Sequence, residues 1–219
     1  MVAPRMAPSA LFFDLDGTLT DPKPGITGCI QYALERLGEP VPSKDDLEWC
    51  IGPPLQENFT ALVGSERAAR GVALYRERFG DVGLFENEVY DGIPDVLASF
   101  AAADTPLFVA SSKPKVYVDR ILDHFELTSF FQRVYGSELD GTNTDKRDLL
   151  AVALADSGVR PSEATMIGDR AQDAIGAGHN AMDFVGALYG YGSREELEDE
   201  GTTRFVHAPR ELVPALAMP

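Results

Sequence analysis

Short, uninterrupted apolar runs recur along the chain and predict buried strands of a parallel sheet. The runs lie at Ala10–Phe13 and at residues 106–110, 130–135, 164–167, 184–188 and 205–207. Apolar residues at helical spacing separate these runs and predict helices. These helices lie at Ile93–Ala102 and at residues 115–125, 145–155, 193–200 and 208–216. This alternation is typical of an α/β fold with a parallel sheet.

Residues 21–89 follow a different pattern, in which helical spacing is not interrupted by any convincing strand. The predicted helices lie at residues 26–37, Asp45–Cys50, Leu55–Val63 and residues 65–79. Residues 22–25, with two prolines and a glycine, predict a linker. We therefore expect a small all-helical domain at residues 21–89, inserted into a core formed by residues 1–20 and 90–219.

Charge and composition exclude several classes of function. The 219 residues carry a formal net charge of -16, which argues against nucleic-acid binding, because that function needs basic stripes. No apolar stretch is long enough to span a membrane, and residues 1–9 lack the apolar core of a secretory signal, so we expect a cytoplasmic protein. Cys29 and Cys50 are expected to be small core residues, and the three histidines show no metal or triad spacing.

Two acidic residues follow the first strand directly. Asp14 and Asp16 lie where open α/β sheets usually place their ligands, and Gly17 permits a sharp turn that brings the two carboxylates together. Carboxylates that close repel each other, and a bound cation is the usual relief. An isolated Asp-x-Asp pair is nevertheless more often a solvated turn or a helix cap.

The longer string from Phe12 to Asp21 is more specific. It resembles motif I of the haloacid dehalogenase superfamily in its phosphatase form, Asp-x-Asp-Gly-Thr-x-x-Asp. The resemblance implies that Asp14 attacks a substrate phosphorus to form an aspartyl phosphate. It also implies that Asp16 serves as general acid and then as general base. Both roles suit carboxyl groups.

Two further segments resemble motifs II and III of the same superfamily. Ser111 follows the predicted strand at residues 106–110 and matches the hydroxyl that binds the transferred phosphoryl group. Lys146 lies at a helix start, where the helix dipole disfavours a cation, and it matches the lysine that neutralises the nucleophile. The sequence around Lys146 departs from that of the commonest relatives, so Arg147 or Lys113 remains an alternative for this role.

Gly168 to Asp173 resembles motif IV, Gly-Asp-x-x-x-Asp. The resemblance implies that Asp169 binds Mg²⁺ and that Asp173 binds or orients it. Asp14 and the backbone carbonyl of Asp16 would complete the protein ligands, because Mg²⁺ takes about six oxygen ligands and keeps several waters.

The resemblance also implies that residues 21–89 form a type 1 helical cap over a Rossmann-like three-layer α/β/α core. Candidate substrate-binding residues are Gly17, Ser112 and Lys113 in the core and Arg76 and Arg78 in the cap. Ser112 would serve equally as a helix N-cap, and the cationic side chains of Lys113, Arg76 and Arg78 as solvated groups. The loop from Tyr189 to Gly192 is predicted to be flexible.

Two segments, residues 80–87 and 189–197, resemble the phosphoglycolate-phosphatase-like branch of the superfamily. The sequence therefore predicts a Mg²⁺-dependent phosphatase, monomeric or homodimeric. Its substrate would be a small phosphorylated metabolite, either phosphoglycolate-like or a nucleoside monophosphate. A sugar phosphomutase and a non-catalytic phosphate-binding module are the alternatives. Mutases of the superfamily typically carry a histidine in the linker after motif I, where this chain has Pro22-Lys23-Pro24.

Overall fold

Two compact units make up the chain in a computed structural model that describes residues 10–217. Of the described residues, one unit comprises residues 10–19 and 89–217, and the other comprises Thr20–Glu88. Among the residues described, no helix is both long enough and apolar enough to cross a membrane. Cys29 and Cys50 are buried and are not joined in a disulfide.

A six-stranded sheet forms the centre of the first unit. Its strands are β1 (Ala10–Phe13), β4 (Leu107–Pro114), β5 (Arg133–Ser137), β6 (Ala164–Gly168), β7 (Asp183–Ala187) and β8 (Phe205–Val206). They are ordered β5-β4-β1-β6-β7-β8, and the pairings are parallel. The helices of this unit are α4 (Ile93–Ala102), α5 (Lys115–His124), α6 (Lys146–Ser157), α7 (Ala171–His179), α8 (Arg194–Asp199) and α9 (Leu212–Ala217).

Strand β1 is buried on both of its faces. Phe12 stacks on Phe108 of β4 with ring centroids 4.7 Å apart, in a cluster that includes Leu149 and Leu150 of α6. Phe13 points to the opposite face, since side chains alternate along a strand, and it is also fully buried. Helices therefore cover both faces of the sheet, and the predicted Rossmann-like α/β fold is confirmed.

Two predicted strands have different limits in the structure. Strand β4 continues to Pro114 instead of ending at residue 110, with a register shift between Ser111 and Pro114. The apolar run predicted as a strand at residues 130–135 begins as a 3-10 turn, Thr128–Phe130. Phe131 is buried against the ring of Phe13 from outside the sheet, so its apolar character reflects packing and not strand pairing.

The second unit is helical, apart from short strands at its ends. Its elements are α1 (Lys23–Leu37), a 3-10 helix (Asp45–Cys50), α2 (Leu55–Val63), α3 (Ser65–Arg78) and a π-helical turn (Phe79–Gly83). The two-residue strands β2 (Thr20–Asp21) and β3 (Glu88–Val89) pair with each other where the chain enters and leaves the unit. Strands of two residues are too short for hydrophobic periodicity to predict.

The predicted linker at residues 22–25 is wrong from Lys23 onward, because α1 already begins there. Pro24 is compatible with the first helical turn, where an N–H would have no helical partner. A Cβ atom on Gly25 would lie 2.1 Å from the carbonyl oxygen of Gly83. Gly25 therefore allows α1 to approach the π-helical turn closely, and it does not bend the chain.

Gly71 and Gly28 provide a test of packing within the second unit. A Cβ at Gly71 would lie 2.4 Å from Cδ1 of the fully buried Phe59, whereas at Gly28 the nearest side-chain atom is 3.6 Å away. We expect Gly71→Ala to lower the free energy of unfolding by about 1–3 kcal/mol through overpacking. Gly28→Ala should raise it by about 0.5–1 kcal/mol, because alanine favours the helix.

Urea titration followed by tryptophan fluorescence measures both changes. Trp49, the only tryptophan in the sequence, lies in this unit and reports its unfolding. Equal effects of the two substitutions would contradict the packing assigned to Gly71.

Candidate active site

The carboxyl ends of three adjacent strands bring the candidate residues together. Asp14 follows β1, and its N–H donates a hydrogen bond of 2.9 Å to the carbonyl of Ile167 in β6. Ser111 lies in β4, and Asp169 follows β6 directly. The side chains of Asp14, Asp16, Ser111, Lys146, Asp169 and Asp173 are all buried.

Three buried aspartates form a compact acidic cluster. One carboxylate oxygen from each of Asp14, Asp169 and Asp173 lies within 4.8 Å of the others. Burial, reinforced by the charges of Asp173 and Asp14, raises the pKa of Asp169 well above its usual range. Burial also raises the pKa of Asp173 to about 6. A hard divalent cation would suit these oxygen ligands and relieve their repulsion.

Lys146 contacts two members of this cluster. Its Nζ lies 3.1 Å from Oδ1 of Asp14 and 2.7 Å from Oδ1 of Asp173, and it donates to the carbonyl of Ala110 at 2.8 Å. Burial alone would lower the pKa of Lys146, but the charges of Asp14 and Asp173 more than compensate and raise it. The group is therefore an ammonium ion fixed between two carboxylates.

Arg147, the alternative cation for this role, pairs with a different carboxylate. Its side chain is exposed and pairs with Asp145. Asp145 is the N-cap of α6, and its carboxylate accepts a hydrogen bond of 2.9 Å from the backbone N–H of Arg147. Lys146 thus occupies the first helical position with its ammonium directed toward Asp14. The two carboxylates that it contacts offset the unfavourable helix dipole at this position.

Lys113 forms a second buried ion pair with Asp16. Its Nζ is 2.7 Å from the carboxylate, and the two side chains are 8% and 11% exposed. Burial raises the pKa of Asp16, although Lys113 opposes this effect. The extended end of β4 carries Lys113 into this position. Lys113 thus contacts the candidate acid–base group, a contact that the sequence did not predict.

The charge balance of the buried site fits a divalent cation. Four buried carboxylates, from Asp14, Asp16, Asp169 and Asp173, face the two paired lysines, Lys113 and Lys146. When all four are ionised, the negative charges exceed those of the lysines by two. A divalent cation would balance this excess, which is costly to maintain in a buried site.

Ser111 and Ser112 have distinct environments. The hydroxyl of Ser111 accepts a hydrogen bond of 3.3 Å from the backbone N–H of Lys113, and its side chain is buried. The carbonyl of Ser112 accepts a bond of 2.8 Å from the hydroxyl of Ser137 in β5. Ser112 does not cap a helix, since α5 begins at Lys115 after Pro114, so that alternative is wrong.

Sequence reasoning missed the groups that hold Asp169. Its Oδ1 accepts from the hydroxyl of Thr18 at 3.3 Å, and its Oδ2 accepts from the backbone N–H of Tyr191 at 2.8 Å. Tyr191 belongs to the loop predicted to be flexible, which the structure ties to Asp169. The Gly-x-Gly pattern at the end of a predicted strand was the available signal, because such glycines permit a close backbone approach.

The candidate arginines of the second unit differ in their pairing. Arg78 makes a bidentate salt bridge with Glu86, at 2.7 and 2.9 Å, and donates to the sulfur of Cys29 at 3.2 Å. Hydrogen bonding to Glu86 raises the pKa of Arg78, so it stays charged, but Glu86 neutralises that charge locally. Arg76 is half-buried and makes no ion pair with any residue that the structure describes.

A family model described as haloacid dehalogenase-like hydrolase matches residues 11–187. A 5'-nucleotidase from Pseudomonas aeruginosa is 45% identical over 89% of each chain. The tyrosine-protein kinase PtkA from Mycobacterium tuberculosis is 36% identical over 94% of this chain and 71% of its own length. Proteins named phosphoglycolate phosphatase, from Pseudomonas aeruginosa and Caulobacter vibrioides, are 27% and 30% identical.

Solved structures agree with the family match. The crystal structure of a predicted phosphatase from Clostridium acetobutylicum superimposes with a TM-score of 0.91 at 39% identity, covering 94% of this chain and 97% of that one. The family match, over residues 11–187, includes the buried aspartates Asp14, Asp16, Asp169 and Asp173. The chain therefore belongs to the haloacid dehalogenase-like hydrolases, and it is a phosphatase.

Proposed function

We propose that the protein is a Mg²⁺-dependent phosphatase that hydrolyses a small phosphomonoester through an aspartyl phosphate on Asp14. The observation that carries this proposal is the placement of Asp14 within the buried acidic cluster and 3.1 Å from the ammonium of Lys146. A carboxylate in this setting is a competent nucleophile, and the neighbouring cation offsets its repulsion by the phosphate.

In the first half-reaction, a carboxylate oxygen of Asp14 attacks the phosphorus and the bond to the ester oxygen breaks. Asp16, protonated at this stage, donates its proton to the departing oxygen. Burial favours this protonated form, because it raises the pKa of Asp16. Lys146 and the hydroxyl of Ser111 would stabilise the phosphoryl oxygens, whose charge is spread in the transition state.

In the second half-reaction, Asp16 accepts a proton from a water molecule that attacks the same phosphorus. The bond between phosphorus and Asp14 breaks, which releases inorganic phosphate and restores both carboxyl groups. Asp14, the carbonyl of Asp16, Asp169 and Asp173 would hold or orient Mg²⁺. When bound, the ion supplies positive charge that neutralises and orients the phosphoryl oxygens.

The substrate class that we favour is the nucleoside 5'-monophosphates. The relative named 5'-nucleotidase is 45% identical, whereas the two phosphoglycolate phosphatases cited above are 30% identical or less. Residues 21–89 would act as a cap that excludes water from the reaction and contributes to selectivity. Within this segment Arg76 is the better candidate for an anionic substrate group, because Glu86 already pairs with Arg78.

A panel of phosphate esters tests the activity. The purified protein is incubated with nucleoside 5'-monophosphates, phosphoglycolate and sugar phosphates, with Mg²⁺ or with a chelator, and released phosphate is measured. We expect Mg²⁺-dependent release that Asp14→Asn lowers by about three orders of magnitude or more, as loss of a nucleophile does. Isomerisation of a sugar phosphate without release would instead indicate a mutase. Binding without turnover would indicate a non-catalytic module.

Lys146 and Arg147 form a matched pair for mutation. We expect Lys146→Met to lower kcat by about 100-fold or more, because the phosphoryl oxygens lose a buried positive charge. Arg147→Met should change kcat by less than about twofold, because Arg147 is exposed and pairs with Asp145 instead of with the buried carboxylates. Steady-state kinetics of both variants on the best substrate provide the comparison. Equal losses would contradict the role assigned to Lys146.

Thermal unfolding tests the metal site without a substrate. At about 100 times its Kd, Mg²⁺ should stabilise the folded protein by about 2.7 kcal/mol, or about 5–10 °C in Tm. Asp169→Asn should remain folded and lose this response, because the change removes a buried charge and keeps the side-chain shape. A variant that still responds fully to Mg²⁺ would exclude Asp169 as a ligand.

A further inference from the structure

The carboxylate of Asp169 is held from two sides by residues that have no proposed role in the reaction itself. The carboxylate is fully buried, and Thr18 and the N–H of Tyr191 donate to its two different oxygens. Thr18 comes from the turn after β1, and Tyr191 from the loop after β7. A carboxylate with both oxygens bonded cannot rotate freely about its side-chain torsions.

The loop at residues 189–192, here called the glycine loop, packs against Asp169 more closely than a side chain would allow. A Cβ on Gly190 would lie 2.3 Å from the carbonyl oxygen of Gly17 and 2.5 Å from Cβ of Asp169. A Cβ on Gly192 would lie 1.7 Å from the carbonyl oxygen of Asp169. These neighbours are mostly backbone atoms, which cannot move aside as a flexible side chain does.

Tyr189 fixes the other end of the glycine loop. Its hydroxyl donates a hydrogen bond of 2.9 Å to the carbonyl of Thr18, and its ring packs edge-on against Tyr90 at 5.1 Å. Thr18 is therefore bonded to Tyr189 through its carbonyl and to Asp169 through its hydroxyl. Hydrogen bonds therefore link Tyr189 to Thr18, Thr18 to Asp169, and Asp169 to Tyr191. Because Tyr189 and Tyr191 belong to the same loop, these contacts form a closed ring.

We propose that the glycine loop is a positioning element that holds Asp169 ready to bind the metal ion. This inference rests on the proposed function, in which Asp169 is a ligand. Without such restraint, repulsion from Asp14 and Asp173 would turn the carboxylate of Asp169 away from the cluster. Hydrogen bonds to the outer side of a ligand orient it, and their loss typically weakens metal affinity by about 10–100-fold.

Three variants and one control test the inference. Gly190→Ala displaces the loop, Tyr189→Phe removes its bond to Thr18, and Thr18→Val removes the hydroxyl that donates to Asp169 while keeping the side-chain shape. Gly178→Ala is the control, because a Cβ there meets nothing within 4 Å and the residue lies in α7. Mn²⁺ replaces Mg²⁺ as the probe, and electron paramagnetic resonance measures its Kd without substrate.

We expect Gly190→Ala and Thr18→Val to raise the Kd for Mn²⁺ by about 10–100-fold. Tyr189→Phe should raise it by a smaller factor, because the Tyr189 hydroxyl donates to Thr18 and not to Asp169 itself. Gly178→Ala should leave the Kd unchanged. Saturating Mn²⁺ should then restore most of the phosphate release in the weakened variants, with KM for the substrate unaltered. A loss of activity that excess metal does not restore would overturn a positioning role.

The outcomes separate this inference from the proposed function. Wild-type affinity in folded Thr18→Val and Gly190→Ala would overturn the role of the glycine loop and leave the metal site intact. A wild-type protein that binds no Mn²⁺ would overturn both. Where Gly190→Ala does not fold, Thr18→Val and Tyr189→Phe decide the question, because Tyr189→Phe only removes a hydroxyl and Thr18→Val replaces one with a methyl group of similar size.

Discussion

The ion pair between Lys146 and two buried aspartates is the interaction on which the rest of the site depends. Asp14 and Asp173 approach each other closely in a region without bulk water, and repulsion between them would separate them without a cation. Lys146 contacts both and also donates to the carbonyl of Ala110, so it ties β4, the turn after β1 and α7 together. Removing one member of such a cluster leaves an uncompensated buried charge, which is strongly unfavourable.

The parallel sheet makes this arrangement possible. Strands β4, β1 and β6 are neighbours, and their carboxyl ends deliver Ser111, Asp14 and Asp169 to one edge of the sheet. Strand β7 adds the loop that reaches Asp169. Because apolar side chains bury both faces of β1, its carboxyl end is held rigidly, and the acidic groups cannot relax into solvent.

Two buried lysines neutralise different carboxylates of the site. Lys146 neutralises the proposed nucleophile, and Lys113 pairs with the proposed acid–base group at 2.7 Å. On a protein with a net charge of -16, these local cations provide the positive charge that an anionic substrate needs. The remaining negative charge of the cluster favours a divalent cation. Thr18 and the backbone N–H of Tyr191 hold the carboxylate of Asp169, the proposed metal ligand, in place.

The sequence by itself determined the α/β class and the helical character of residues 21–89, and it supplied the candidate residues for the chemistry. Buried strands require apolar runs, and the proposed chemistry requires carboxylates at the ends of those strands. Both features are local, so they can be recognised in the sequence. It could not place the end of β4, the start of α1 at Lys23 or the packing of Phe131, because each depends on contacts with distant residues.

Only the tertiary structure decided which candidate groups contact one another. Lys146 and Arg147 are adjacent and chemically similar in the sequence, yet the helix directs one to Asp14 and leaves the other exposed. The pairing of Lys113 with Asp16 and the closure of the glycine loop on Asp169 join segments far apart in the chain. Such contacts follow from how strands and loops are brought together in space. The Gly-x-Gly pattern signals a close backbone approach, but it does not identify the residue that is approached.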